Sequence, residues 1–273
     1  MLIRYEATFE GLLTAVAVCL RSGRAPDMMM PDLDQTTLLA CTDIPAEKGI
    51  HSLFRKHLVH VLGPQSGRDV FELVHAAFLS EDEGIGLPIY RYLAAALHER
   101  KDPAGNLLDP DIARVAGAAR RVGSQAHAWL GLLRFRQISP ELFQADFSPD
   151  YHVLPLILPH FCERLPDQPF VIRDLRRDLA ALHVPGKPVR VFVLAPPELQ
   201  EENPAGLPDP LFSADSMGLS LTAVNIAKSA PIDPFDDLWR RYLSRMTIPE
   251  RRNLKLQRAN MPKKYWKYLT EQQ

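Results

Sequence analysis

Cysteine is nearly absent. Three residues, Cys19, Cys41 and Cys162, stand far apart in a chain of 273. Their odd number and wide spacing argue against a disulfide framework and form no closely spaced zinc or iron–sulfur motif. Reduced thiols in a cytoplasmic protein are the expectation, with no cofactor and no metal. No uninterrupted apolar run approaches the roughly 20 residues that a membrane helix needs. Residues 11–20 are apolar, but Glu6 and Glu10 precede them and no small-residue cleavage site is clear, so neither a membrane nor a targeting signal is expected. Glycine is scarce beside proline, 14 against 24, which predicts many short, punctuated elements. The chain carries no glycine-rich phosphate loop, zinc-protease helix motif or nucleophile elbow.

What the chain does have is a local reversal of charge. Between Trp239 and Lys267 stand Arg240, Arg241, Arg245, Arg251, Arg252, Lys255, Arg258, Lys263, Lys264 and Lys267, with Glu250 as the one acid. That stretch is at +9 while the whole chain is at −1, so the remainder is at −10. Such a reversal makes an anion-attracting surface on an acidic body. Trp239, Tyr242, Tyr265, Trp266 and Tyr268 lie among the cations; cations hold phosphates and aromatic faces stack on bases.

The local signals there predict three short helices. Asp233-Pro234 is an N-cap followed by proline at the first helical position. Phe235, Leu238, Trp239, Tyr242, Leu243 and Met246 recur at helical spacing and read first as a buried stripe, with base stacking as the alternative. Thr247 and Glu250 frame a capping box, and Asn260-Met261-Pro262 repeats the cap-then-proline signal. Arg240 and Arg241 can be spent on Asp236 and Asp237, four residues before them. The candidate nucleic-acid contacts are therefore Arg251, Arg252, Lys255, Arg258, Lys263, Lys264, Trp266 and Lys267. Arg134, read on a strand beside Arg136, extends the set or pairs with Glu141 or Asp146.

The rest of the chain reads as α+β. Residues 2–6 alternate as a short strand, and Thr8 caps a helix whose face is Phe9, Leu12, Leu13, Val16 and Leu20. Residues 24–37, with Met28, Met29 and Met30, and residues 42–49 read as loops. Helical spacing returns over 50–62, 68–79 and 87–98, and Asp109-Pro110 opens a helix to about residue 130. The period then shortens: 132–138, 142–147, 170–174, 178–183 and 189–194 read as strands, with 153–164 helical despite Pro155 and Pro159. Pro185-Gly186 marks the last hairpin. These elements predict an antiparallel sheet with helices on one side. The division expected is an α+β body over 1–195, a proline-rich linker over 196–232 and a basic helical tail over 233–273.

Catalytic residues are not identified by any motif. His152, His160 and Asp174 are weak candidates for an acid/base cluster, should the segment around 152–160 fold against the next strand. The structural alternative is that His160 and Asp174 satisfy buried polar groups or each other. His57 and His60 share a predicted helix face but lack a third metal ligand.

The run Leu238-Trp239, Ile248, Arg251-Arg252-Asn253, Lys255-Leu256-Gln257, Met261-Pro262 and Tyr265-Trp266-Lys267-Tyr268-Leu269 resembles the end of a family of uncharacterised bacterial proteins called "probable DNA metabolism proteins". Phe9-Glu10-Gly11-Leu12-Leu13-Thr14-Ala15-Val16 resembles the family's opening. Gly131-Leu132-Leu133-Arg134-Phe135, Val153-Leu154-Pro155-Leu156 and Pro159-His160-Phe161 resemble its middle. The resemblance implies a role beside a radical S-adenosylmethionine protein of DNA modification or repair, and it supplies no catalytic residues. The function expected is thus a DNA-binding accessory protein. A DNA-processing hydrolase using the His/Asp cluster and a protein-interaction adapter are the alternatives. The domain division has a direct test: limited proteolysis is expected to cut first within 196–232. A first cut within 132–194 would count against it.

Overall fold

The computed structural model describes residues 1–32, 40–194, 238, 241, 242, 245, 246, 255, 256, 258 and 261–269. The linker expected over 196–232, the capping box over 247–250 and the candidates Arg251 and Arg252 lie outside the described residues. The fold is α+β, with six α-helices and two sheets among the described residues. No described helix is long and apolar enough to cross a membrane.

The chain forms two compact units, 1–125 with 151–153, and 126–150 with the residues from 154 onward. The division falls inside one long helix, within the body expected over 1–195.

The first unit opens with strand β1 (Leu2–Glu6) and helix α1 (Phe9–Ser22). Thr8 caps that helix as its sequence predicts, its hydroxyl accepting from the Gly11 N–H at 3.0 Å. Strands β2 (Met28–Asp32) and β3 (Thr42–Ile44) flank β1, both parallel to it. These two strands correct the expected loops over 24–37 and 42–49. Three methionines and a proline give little strand signal on their own. Pairing with β1 and the complete burial of Met29 make the strand.

Helices α2 (Ile50–Leu62), α3 (Pro64–Phe78) and α4 (Gly86–Glu99) follow, close to the predicted spans. Their apolar stripes meet α1 in one core that includes Leu12, Leu13, Leu58, Val70, Val74, Ile89 and Leu93. Helix α5 (Pro110–Leu132) starts at the predicted Asp109 cap, which accepts from the Asp111 and Ile112 N–H groups.

The second unit holds strands β4 (Arg136–Ser139) and β5 (Leu142–Phe147), helix α6 (Leu154–Arg164), and strands β6 (Phe170–Asp174), β7 (Leu179–His183) and β8 (Arg190–Val193). The five strands run β4-β5-β6-β7-β8. Three of the pairings are antiparallel, but β5 and β6 are parallel, which corrects the all-antiparallel sheet. Helix α6 is the crossover that carries the chain back to the start of the sheet. Its prolines do not prevent it. Pro159 lacks the N–H that would serve the Pro155 carbonyl, and both prolines are on the exposed side. The last hairpin turns at Pro185-Gly186 as expected, with Gly186 at φ +72° and the Lys187 N–H donating to Val184 O at 3.0 Å.

Gly67 decides how closely α2 and α3 pack. A Cβ there would lie 2.5 Å from Val59 Cα and 2.6 Å from Leu58 O, both backbone atoms that cannot swing aside. Gly67→Ala is expected to destabilise the protein by about 1–3 kcal/mol, although alanine is the better helix former. Urea unfolding checks this; an alanine variant as stable as the parent would refute the close crossing.

Candidate nucleic-acid interface

The C-terminal cations end on a short 3-10 helix, Lys263–Tyr268, within the second unit. Proline at 262 precedes it and the Leu269 N–H closes on Trp266 O at 3.0 Å. Its footing is aromatic. Tyr265 is buried edge-on against the indole of Trp129 with centroids 4.8 Å apart, and Tyr268 meets the same indole at 5.7 Å. Trp129 in turn meets Phe147 of β5 at 5.1 Å, and Leu269 is fully buried. Edge-to-face contacts of this kind hold ring orientation as well as burying area.

With Tyr265 and Leu269 inward, Lys263, Lys264 and Lys267 are exposed, as are Lys255 and Arg258 before them. The lysines lie along their neighbouring rings: Lys263 5.9 Å from the Trp266 centroid, Lys264 4.9 Å from that of Tyr265, Lys267 4.8 Å from that of Tyr268. Trp266 is half-buried and its Nε1 donates to Met261 O at 2.8 Å, which fixes the indole. Tyr242, read first as core, is exposed, together with Leu238 and Met246 of the same predicted stripe.

Lys264 and Arg134 have other work. Lys264 pairs with Asp150, a contact that raises its pKa. The same carboxylate lies 3.8 Å from Arg176, so Lys264 ties the 3-10 helix to the loop after β5. Arg134 lies before β4, not on a strand. Its Nη1 donates to Gly131 O at 2.8 Å and to Leu133 O at 3.3 Å, occupying carbonyls at the end of α5. Arg136 does begin β4. Asp146, offered as a partner for these arginines, instead holds Arg173 in a two-pronged pair at 2.6 and 2.7 Å.

The three candidates for acid/base work are dispersed in role. Asp174 is fully buried at the end of β6; its Oδ2 accepts from Arg177 Nη1 at 3.1 Å and its Oδ1 from the Arg176 N–H at 3.0 Å. Arg177 also donates to Pro149 O and Asp150 O, so this pair closes a turn onto the loop after β5. His160 is on the exposed side of α6, its ring edge-on to Phe161 at 5.2 Å. The buried place that the structural alternative required of His160 is not what forms, because Phe161 and Ile157 take the inward side of the helix. His152 belongs to the first unit, where its N–H donates to Leu79 O at 3.0 Å. His57 and His60 are exposed on α2, and no group of three metal-ligating side chains occurs among the described residues.

His152 has company that the sequence did not flag. His75 of α3 packs against Phe9 at 4.7 Å, and His51 of α2 stands 6.0 Å from Phe9 and 6.5 Å from His75. Burial, followed by the charges of His51 and His152, lowers the His75 pKa from 6.5 to about 4. An imidazole depressed in this way is protonated in the unfolded chain first. Its contribution to stability is whole above about pH 6.5 and is lost as pH falls toward 4. On the order of 2–3 kcal/mol should disappear between pH 7 and pH 4. Urea unfolding across that range checks it: His75→Gln should flatten the dependence, and an unchanged slope would exclude His75 as its source.

Comparison with known proteins adds one finding. Neither a curated protein nor a solved structure matches the chain. The model of a domain of unknown function, DUF4130, matches residues 83–271. That span takes in α4, α5, the five-stranded sheet and the Lys263–Tyr268 helix, and leaves out the three-stranded sheet and residues 9–16. With more than half of its length so matched, the chain belongs to the DUF4130 family.

Proposed function

We propose that this chain is a DNA-binding accessory protein of DNA repair or modification, acting in the cytoplasm as the partner of a radical S-adenosylmethionine enzyme. The observation that carries the DNA-binding half is the exposure of Lys263 and Lys267 on a short helix whose Tyr265 and Tyr268 are tied down on Trp129, with Lys255 and Arg258 exposed before it. Cations on a fixed support meet phosphates without first losing the freedom of a loose tail. The half-buried, hydrogen-bonded Trp266 beside Lys263 offers a rigid ring to a base. Lys264 contributes less, because Asp150 already offsets its charge.

The enzyme partner rests on the resemblance of the C-terminal motif. It would supply the iron–sulfur chemistry for which the separate Cys19, Cys41 and Cys162 do not provide a clustered thiolate site. The proposal does not extend to hydrolysis by His152, His160 and Asp174, since the Asp174 carboxylate is enclosed by Arg177 and the backbone.

Salt-titrated binding of the full chain to a labelled single-stranded oligonucleotide tests the reading. Lys263→Gln with Lys267→Gln should make the log–log salt slope shallower by about 1.4, at roughly 0.7 per phosphate contact, whatever the base sequence. Lys264→Gln should change the slope less. Affinity unchanged in the double variant at every salt concentration would remove this helix from DNA binding.

A further inference from the structure

The Lys264–Asp150 pair has a third member from outside the cationic stretch. Asp150 offers Oδ2 to Lys264 and lies with Oδ1 3.8 Å from Arg176 Nη1. The side chains of Lys264, Asp150 and Arg176 are 53%, 46% and 54% exposed. One half-exposed carboxylate therefore stands between two half-exposed cations, all within the second unit.

Both cations are carried on braced backbone. Lys264 follows Pro262 and precedes Tyr265, which is buried against Trp129. Arg176 lies in the turn between β6 and β7, where its N–H donates to Asp174 Oδ1 at 3.0 Å. The Leu175 N–H before it donates to Phe147 O at 2.9 Å. Arg177 donates to the Pro149 and Asp150 carbonyls, which fixes the backbone of Asp150 against the same turn. Arg173 and Arg177 are engaged with Asp146 and Asp174. Arg176 is the arginine of this segment that is exposed.

Ion pairs this exposed hold an element only weakly, and the rings on Trp129 already anchor the 3-10 helix. In chemical terms, two cations approach the two oxygens of one anion. A phosphodiester presents two non-bridging oxygens in the same way, and both Arg and Lys bind them. We propose that Lys264 and Arg176 form a phosphate site of the DNA interface, and that the Asp150 carboxylate competes with the phosphate for it. The inference rests on the DNA-binding reading above. It extends the phosphate path from the 3-10 helix to the β6–β7 turn. Exchange requires rotation of the Asp150 side chain and no movement of the backbone that Arg177 holds.

Salt-titrated binding of the full chain to a labelled single-stranded oligonucleotide tests the site. Asp150→Asn removes the competitor and keeps its shape. Affinity should rise roughly threefold to tenfold, the worth of two exposed ion pairs. In that background Arg176→Gln should cancel most of the gain and make the log–log salt slope shallower by about 0.7, one contact on a single strand. In the parent the same change should have a smaller effect, because the carboxylate shares the site. Asp178→Asn is the control. It removes the same charge two residues from Arg176, at an exposed position whose φ of +50° asparagine also adopts. Its affinity should stay within about twofold of the parent, as for an exposed charge outside the contacts. Equal gains from D150N and D178N would mark a general charge effect and overturn the site. So would Arg176→Gln without effect in either background, or a D150N variant that melts as the parent does and binds no tighter. Those outcomes leave DNA binding standing. A parent chain and a D150N variant that both fail to bind at low salt would overturn the DNA-binding reading, and this site with it.

Discussion

The buried indole of Trp129 is the contact on which the second unit depends. It stands at the end of α5, takes Phe147 of β5 on one edge, and receives Tyr265 and Tyr268 of the terminal 3-10 helix on others. A single residue thus joins helix, sheet and chain terminus. Its consequence is electrostatic as well as structural. Lys263, Lys264 and Lys267 alternate with the anchored rings, so burying the tyrosines forces the ammonium groups outward. A stretch at +9 in a chain at −1 would otherwise be drawn to the acidic groups of its own body. Among the described residues Lys264 makes such a contact with Asp150, and it helps hold the helix in place.

Around that contact several described charged groups of the second unit are paired for architecture. Asp174 is buried and would be costly there without Arg177, which also serves the carbonyls of Pro149 and Asp150. Asp146 and Arg173 sit side by side on the parallel pair β5–β6 and share a two-pronged bond. These acids and bases invite a catalytic reading when seen as a list. Their geometry makes them braces for turns and strand pairs.

The two units solve the same problem of strand order in different ways. In the first, β1 lies between two parallel strands and α1 covers it, with the Gly11 position so close to Glu6 O that any side chain would clash. In the second, one parallel pairing is embedded among antiparallel ones, and the crossover helix α6 makes it possible.

What the sequence determined is what acts over a few residues. Apolar spacing gave the helices 50–62 and 110–132 nearly to the residue, Thr8 and Asp109 marked their helix starts, and Pro185-Gly186 set its turn. Alternation marked the strands 142–147 and 170–174. The cationic C-terminus was likewise legible, since charge and aromatic content are properties of composition. Tertiary structure alone decided the rest. Met28, Met29 and Met30 become a strand only because β1 supplies the pairing. The β5–β6 pair is parallel only because α6 returns the chain. His160 faces outward because its neighbours fill the inward side of its helix, and Lys264 finds Asp150 across 114 residues of chain. Each of these outcomes depends on groups distant in sequence, and a local pattern carries no information about which distant partner will arrive.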